Sequence, residues 1–144
     1  MKQKRVRVIA FGTFDILHPG HVYYLKSAKK LGNELIVIVA RDSTVARIKG
    51  KQPVNDERIR REMVSALRYI HKAVLGNAGN IYDKVKELRP NVIALGYDQH
   101  MDTAKLQREL RKRNVECKVM RLKAFNQKKF KSSILKHKIR TLKK

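Results

Sequence analysis

Cysteine is nearly absent from this 144-residue chain: Cys117 is the single one, which rules out an internal disulfide or a multi-thiolate metal site. Long hydrophobic runs are missing as well. Apolar stretches such as LIVIVA at 35–40 fall far short of the roughly 20 residues a membrane-spanning helix needs. The N-terminal MKQKRVRVIAFGTF starts basic, but its apolar part is too short for a signal peptide and no small-residue cleavage site follows. A cytoplasmic protein without a membrane role is the expectation. Acid is scarce too. Against 35 Lys and Arg stand 12 Asp and Glu, a formal net charge of +23, and no acidic residue follows Glu116. Such a field attracts polyanions, whether nucleic acid, anionic lipid or nucleoside triphosphate. Aromatic residues make up only 6% and no nucleic-acid-binding motif is present. Both weigh against the non-enzymatic alternative, a basic nucleic-acid-binding protein.

What is present is the composition of a soluble globular domain, 42% apolar and 33% charged, with a length that fits one domain over 1–144. Short β-rich runs alternate with amphipathic helical stretches. Strands are predicted at 6–11, 35–40, 73–76, 92–96 and 115–120. Several are nearly continuous apolar runs, as in strands buried on both faces of a parallel sheet. Helices are predicted at 20–31, 56–71, 80–89, 103–113 and 132–142. The second has Ile59, Met63, Leu67 and Ile70 as its apolar stripe and Asn55 or Asp56 as its cap. Asp102 caps the fourth, and Ser132-Ser133 opens the last. Alternation of this kind predicts a single doubly wound, five-stranded parallel α/β sheet of Rossmann-like type, with ligands beyond the carboxyl ends of the strands.

GTFDILHPGH at 12–21 lies at that edge, between the first strand and the first helix. A turn, a metal site and a phosphate cradle all use such residues. Gly12 permits close approach of backbone to ligand. Pro19 and Gly20 open the helix, whose first N–H groups and dipole attract an anion. His18 and His21, three apart, add two donors on one side. Zinc would need a third protein ligand; Asp15, Asp42 or Asp98 could offer one, but no His or Cys has the expected spacing. The combination suits phosphate better than a protein-held metal.

GTFD followed by HPGH resembles the HxGH signature of the α/β nucleotidyltransferases, the cytidylyl- and adenylyltransferases of small phosphorylated substrates. Arg41-Asp42, Lys49-Gly50-Lys51, the helix from Glu57-Arg58, LGYDQ at 95–99 and KSSIL at 131–135 resemble that family's later blocks in order. In length and wording the chain is most similar to the archaeal FAD synthases. Glycerol-3-phosphate cytidylyltransferases, the alternative with CTP, carry an arginine-threonine block where this chain has RLKAFNQKKFKSSIL.

The resemblance implies transfer of AMP from ATP to FMN by in-line attack of the acceptor phosphate on the α-phosphorus, with pyrophosphate leaving. It implies His18, His21 and Lys49 as catalytic residues. It also implies nucleotide contacts from Gly12, Thr13, Phe14, Pro19, Gly20, Lys51, Asp98, Phe125 and Ser132. Asp15, Asp42, Arg60 and Arg68 are directed toward the substrates, with Arg60 and Arg68 eight apart on one helix side. A phosphate-bridging divalent cation, Mg²⁺, is implied, and a homodimer. Side chains with bland readings compete at several of these positions: core packing at Phe14 and Phe125, surface charge at Arg60 and Arg68, helix capping at Ser132 and Ser133. His71, His100 and His137 read as surface residues, and Cys117 as core.

Overall fold

The structure, a computed structural model, describes residues 4–124. Its elements in chain order are β1 (Arg7–Gly12), α1 (Pro19–Lys29), β2 (Glu34–Val39), α2 (Asp42–Lys49), α3 (Glu57–Ser65), β3 (Lys72–Leu75), α4 (Ile81–Leu88), β4 (Val92–Leu95), α5 (Thr103–Lys112) and β5 (Lys118–Arg121). The five strands form one sheet in the order β3-β2-β1-β4-β5. Every neighbouring pair is parallel. The direction of winding reverses between β1 and β4, which defines the ligand crevice of such folds. The expected helix at 132–142, with Ser132, Ser133 and His137, lies outside the described residues, as does Phe125.

Apolar strand sequence explains the layering. Val8, Ile9 and Ala10 in β1 have no exposed surface, because the pleat sends alternate side chains into two cores. On one face Val8, Ala10, Leu35, Val37 and Val39 pack with Leu25 and Ala28 of α1 and Val64 of α3. On the other, Ile9, Phe11, Ile38 and Ile93 meet Val85 of α4 and Leu106 and Leu110 of α5. Each fully buried Leu or Ile contributes about 1.5–3 kcal/mol by removal from water. Helix starts follow their caps: Asp56 accepts from the Ile59 amide at 3.0 Å, and Asp102 from Ala104 at 2.9 Å.

Three details depart from the periodicity. Residues 42–49 form a helix, α2, that the sequence pattern does not announce; Lys49 is therefore its last residue and not part of a loop. The fifth strand starts at Lys118, three residues later than predicted, with Val115 buried ahead of it and Cys117 half-buried in the connection. Helix α3 stops at Ser65 instead of running to 71. The first half of its predicted stripe is turned outward, with Ile59 and Met63 45% and 52% exposed while Arg60 and Val64 point inward at 0%; Leu67 and Ile70, beyond the helix, pack against the core as expected.

The reason is that Arg60 finds more partners inside than an aliphatic residue could. Its guanidinium donates to the Thr13 carbonyl at 2.8 Å, the Asn55 carbonyl at 2.9 Å and Asp42 Oδ1 at 2.7 Å. Beside it, the Asp15 carboxylate accepts from the amides of Val54 and Asn55 at 2.7 and 2.8 Å. The Asn55 side chain donates back to the Asp15 carbonyl at 2.7 Å. Glu57 accepts from the Asp42 amide at 3.0 Å and from Arg41 at 3.1 Å. The loop after β1, the start of α2 and the start of α3 are thus tied into one unit. Arg60→Leu is expected to cost about 3 kcal/mol, since it strands a carboxylate and two carbonyls. Arg60→Lys recovers little of this, as an ammonium lacks the planar fork. Urea unfolding of both variants checks it; a loss below 1 kcal/mol for the leucine variant refutes it.

Candidate active site

Strand β1 ends at Gly12, and the chain turns at once. Phe14 has φ 53°, a left-handed conformation rare for an aromatic residue. Its ring folds back over the strand end, where a Cβ at position 12 would stand 2.5 Å from Phe14 Cε2. Glycine at 12 is therefore required by the ring as well as by any ligand. Phe14 itself is 3% exposed and meets the His21 ring edge-on, centroids 5.2 Å apart. The Phe14 side chain thus takes the core-packing reading, and it backs a histidine.

His18 is the N-cap of α1, and its Nδ1 accepts from the Gly20 amide at 3.0 Å. An imidazole nitrogen that accepts carries no proton, so neutral His18 holds its N–H on Nε2. Gly20 is as constrained as Gly12, because a Cβ there would lie 2.8 Å from His18 Cε1. The His18 carbonyl takes the amides of His21 and Val22 at 3.0 and 3.3 Å. These bonds revise the cradle. Pro19 has no N–H and the next amides are already committed, so an anion here meets imidazoles, lysine and the helix dipole in place of orphan backbone donors.

The two imidazoles stack, with centroids 3.8 Å apart and planes at 26°. His21 Nδ1 is buried without a hydrogen-bond partner among the described residues. Burial first, then the neighbouring His18 and Lys49 charges, lower the His21 pKa to about 3. Burial also lowers that of His18, opposed by the charge of Asp98. These couplings show what the fold assembles. His18 and His21 come from the start of α1, Lys49 from the end of α2, and Asp98 from the turn after β4. Thr13 sits in the same loop, and its carbonyl is held by Arg60. Lys51 is exposed just beyond α2, and Pro19 is exposed at the start of α1.

Other expected residues do different work. Asp15 is 6% exposed and spent on the 54–55 amides, and Asp42 is paired with Arg60. All three tie the loop after β1 to the starts of α2 and α3. Arg68 does not share a helix side with Arg60, because α3 ends between them; it is exposed, its guanidinium 5.6 Å from the Tyr69 ring centroid. Sequence reading missed Arg121, which donates to the carbonyls of Gly96, Gln99 and Met101 at 2.9, 2.7 and 2.6 Å. It thereby braces the turn that carries Asp98. A single arginine at the end of a strand, on the ligand edge, was the available signal. Cys117, its thiol pKa raised by burial, shows no sign of activation.

A neutral, buried His21 makes stability depend on pH. Between about pH 6.5 and pH 3 the unfolded chain binds a proton at this residue that the folded chain refuses. Its contribution to stability is complete above pH 6.5 and falls with acid, at up to about 1.4 kcal/mol per pH unit. Denaturant titrations at about pH 6 and pH 4 are expected to show a smaller acid loss for His21→Asn than for the native chain. Equal losses would refute the assignment.

Residues 9–138 match the model of the Cytidylyltransferase-like family, a span that includes the histidine loop and both lysines. An FAD synthase of Aciduliprofundum boonei is 53% identical over 120 residues, covering 83% of this chain and 80% of that relative. An FAD synthase of Thermoplasma volcanium is 45% identical over 137 residues, covering 95% and 96% of the two chains. Among solved structures, one from Thermoplasma volcanium described as a lipopolysaccharide core biosynthesis protein superposes with TM-score 0.82. It is 46% identical and covers 85% of this chain and 100% of that one. A pantoate-beta-alanine ligase of Francisella tularensis, 12% identical with TM-score 0.64 over 95% of this chain and 67% of its own, shares the fold alone. On sequence, on backbone and on the match across the histidine loop, the chain belongs to the Cytidylyltransferase-like family.

Proposed function

We propose that this chain is an FMN adenylyltransferase, transferring AMP from ATP to FMN with release of pyrophosphate. The observation that supports it most directly is the tautomer lock of His18. The Gly20 amide fixes Nδ1 as acceptor, so Nε2 is the proton-bearing nitrogen at the ligand edge. The names borne by the similar archaeal enzymes supply the acceptor and the nucleotide.

A phosphate monoester is already ionised near neutral pH, so the acceptor needs no strong base. Its oxygen attacks the α-phosphorus in line, the bond to the bridging oxygen breaks, and charge grows on pyrophosphate. His18 and His21 donate to the oxygens of the transferring and leaving phosphates. Lys49, and Lys51 beyond it, neutralise the leaving group. Thr13 and Asp98 flank the nucleoside in this reading, and Phe125 and Ser132 keep the roles the resemblance gives them. A divalent cation such as Mg²⁺ belongs to the proposal. Among the described residues no three His, Cys, Asp or Glu side chains converge on a point. As the resemblance implies, the cation would come with the nucleotide's phosphates and supply charge neutralisation there. The remaining parts are one domain over 1–144, a cytoplasmic setting and a homodimer. Ile59 and Met63, one turn apart on the outer face of α3, offer apolar surface to a second copy. Among the described residues no helix is long and apolar enough to cross a membrane.

Two measurements test this. His18→Ala and His21→Ala are each expected to lower kcat for pyrophosphate release from ATP and FMN by on the order of 10²–10³, with folding intact. Normal transfer in the double variant removes the mechanism. Turnover of CTP with glycerol 3-phosphate but not of ATP with FMN replaces the substrate assignment, and salt-sensitive nucleic-acid binding that survives both substitutions supports the non-enzymatic reading. Light scattering is expected to give twice the 16.8 kDa chain mass, and Met63→Glu to halve it; a monomeric native protein ends the dimer.

A further inference from the structure

Strands β1 and β4 pair through Val8–Val92, Ile9–Ile93 and Ala10–Ala94, and there the ladder stops. In a parallel ladder the next two rungs would run from the Phe11 amide to the Ala94 carbonyl and from the Gly96 amide to the Phe11 carbonyl. The first closes the Ala10–Ala94 pair and has a side chain beside it, whereas the second does not form directly. The Phe11 amide donates to the Tyr24 hydroxyl at 3.2 Å, and that hydroxyl donates to the Ala94 carbonyl at 2.6 Å. One rung later, the Gly96 amide donates to Gln99 Oε1 at 2.8 Å, and Gln99 Nε2 donates to the Phe11 carbonyl at 2.7 Å. The first rung is thus bridged by the Tyr24 hydroxyl alongside, and the second is replaced by the Gln99 carboxamide, each accepting on one side and donating on the other.

We infer that Tyr24 and Gln99 are positioning residues that wedge the ends of β1 and β4 apart and set the width of the crevice for the nucleoside. The inference rests on the nucleotide reading proposed above. Its geometry is graded. The first rung stays in the ladder with a hydroxyl bonded to both its groups, and the second runs through the three atoms of a carboxamide, so the strands part beyond Ala10–Ala94 toward the ligand edge. Each insertion satisfies all the backbone groups it separates, which lets the strands diverge without leaving buried amides or carbonyls unpaired. Burial pushes the Tyr24 hydroxyl pKa up, which keeps its proton available for the Ala94 carbonyl. Gln99 is anchored in turn: its amide donates to the Gly96 carbonyl at 3.2 Å, and its carbonyl is held by Arg121. Beyond the wedge on one side come Gly12 and Thr13, and on the other Asp98, so its width sets the distance between the two loops that enclose a base and ribose.

Binding of ATP with Mg²⁺, CTP with Mg²⁺ and FMN is to be measured separately by calorimetry for the native chain, Tyr24→Phe and Gln99→Leu. Steady-state KM and kcat are measured for the same proteins. Without the relay the strand ends either close or hold unpaired groups, and ATP affinity is expected to fall about tenfold. The KM for ATP rises with it, while FMN affinity stays within about twofold and kcat at saturation changes less than KM. ATP affinity within about twofold of native in both variants overturns the wedge. So does a parallel loss of ATP and FMN affinity with a lowered unfolding midpoint, which marks a merely structural role. A native chain that binds CTP in place of ATP ends the FMN-adenylylation reading alone, and the wedge is then decided by the same comparison with CTP. A native chain that binds neither nucleotide overturns both. If Gln99→Leu does not fold, the near-isosteric Tyr24→Phe decides.

Discussion

A buried guanidinium is the constraint on which the ligand edge depends. Arg60 has no exposed surface, and its charge is tolerated only because a carboxylate and two carbonyls surround it. Those acceptors belong to the loop after β1, the start of α2 and the segment leading into α3. None of the three has an extended apolar face that would fix its place. The histidine loop and the lysine-bearing helix are therefore held together by polar geometry, while the two apolar cores hold only the scaffold beneath them. That division matches the chemistry. A hydrophobic contact constrains volume, whereas a fork of N–H donors constrains direction, and a group that must meet a phosphate oxygen needs direction.

Much of this arrangement is legible in the residues. The apolar runs at 6–11, 35–40 and 92–96 specify central parallel strands because burial on both faces leaves no other use for such runs. The Gly-rich, two-histidine loop after the first strand follows directly, since strand order puts it at the carboxyl edge. What periodicity could not reveal were the places where polar groups overrule it. Ile59 and Met63 lost the inward face of α3 to Arg60, whose partners lie 5 to 47 residues away in sequence. Helix α2 is eight residues long with one buried side chain, Val45, and gives almost no apolar repeat to read. The resemblance directs Asp15, Arg60 and Asp42 toward the substrates, and no apolar repeat signals their bonds. In the fold Arg60 binds Asp42, the Thr13 carbonyl and, like Asp15, the 54–55 backbone.

Charge is distributed to the same end. His21 and Lys49 sit together at the edge, where burial first, and then the charges of His18 and Lys49, depress the His21 pKa. Arg121, in contrast, turns its charge to backbone carbonyls and shapes a turn. Proximity of a basic residue to the crevice thus says little of its role until its hydrogen bonds are counted.

The Gly20 amide joins a helix terminus to an acid–base state. Helix ends are the first parts of a helix to fray, and fraying here would do more than lengthen a loop. Once the Gly20 N–H swings away, nothing obliges His18 to keep its proton on Nε2, and the two tautomers become nearly equal in energy. Loosening of one turn would scramble which nitrogen offers a hydrogen long before the sheet came apart. The proton position that the proposed chemistry uses is accordingly bounded by the local stability of three residues at the start of α1, a lower ceiling than the stability of the domain as a whole.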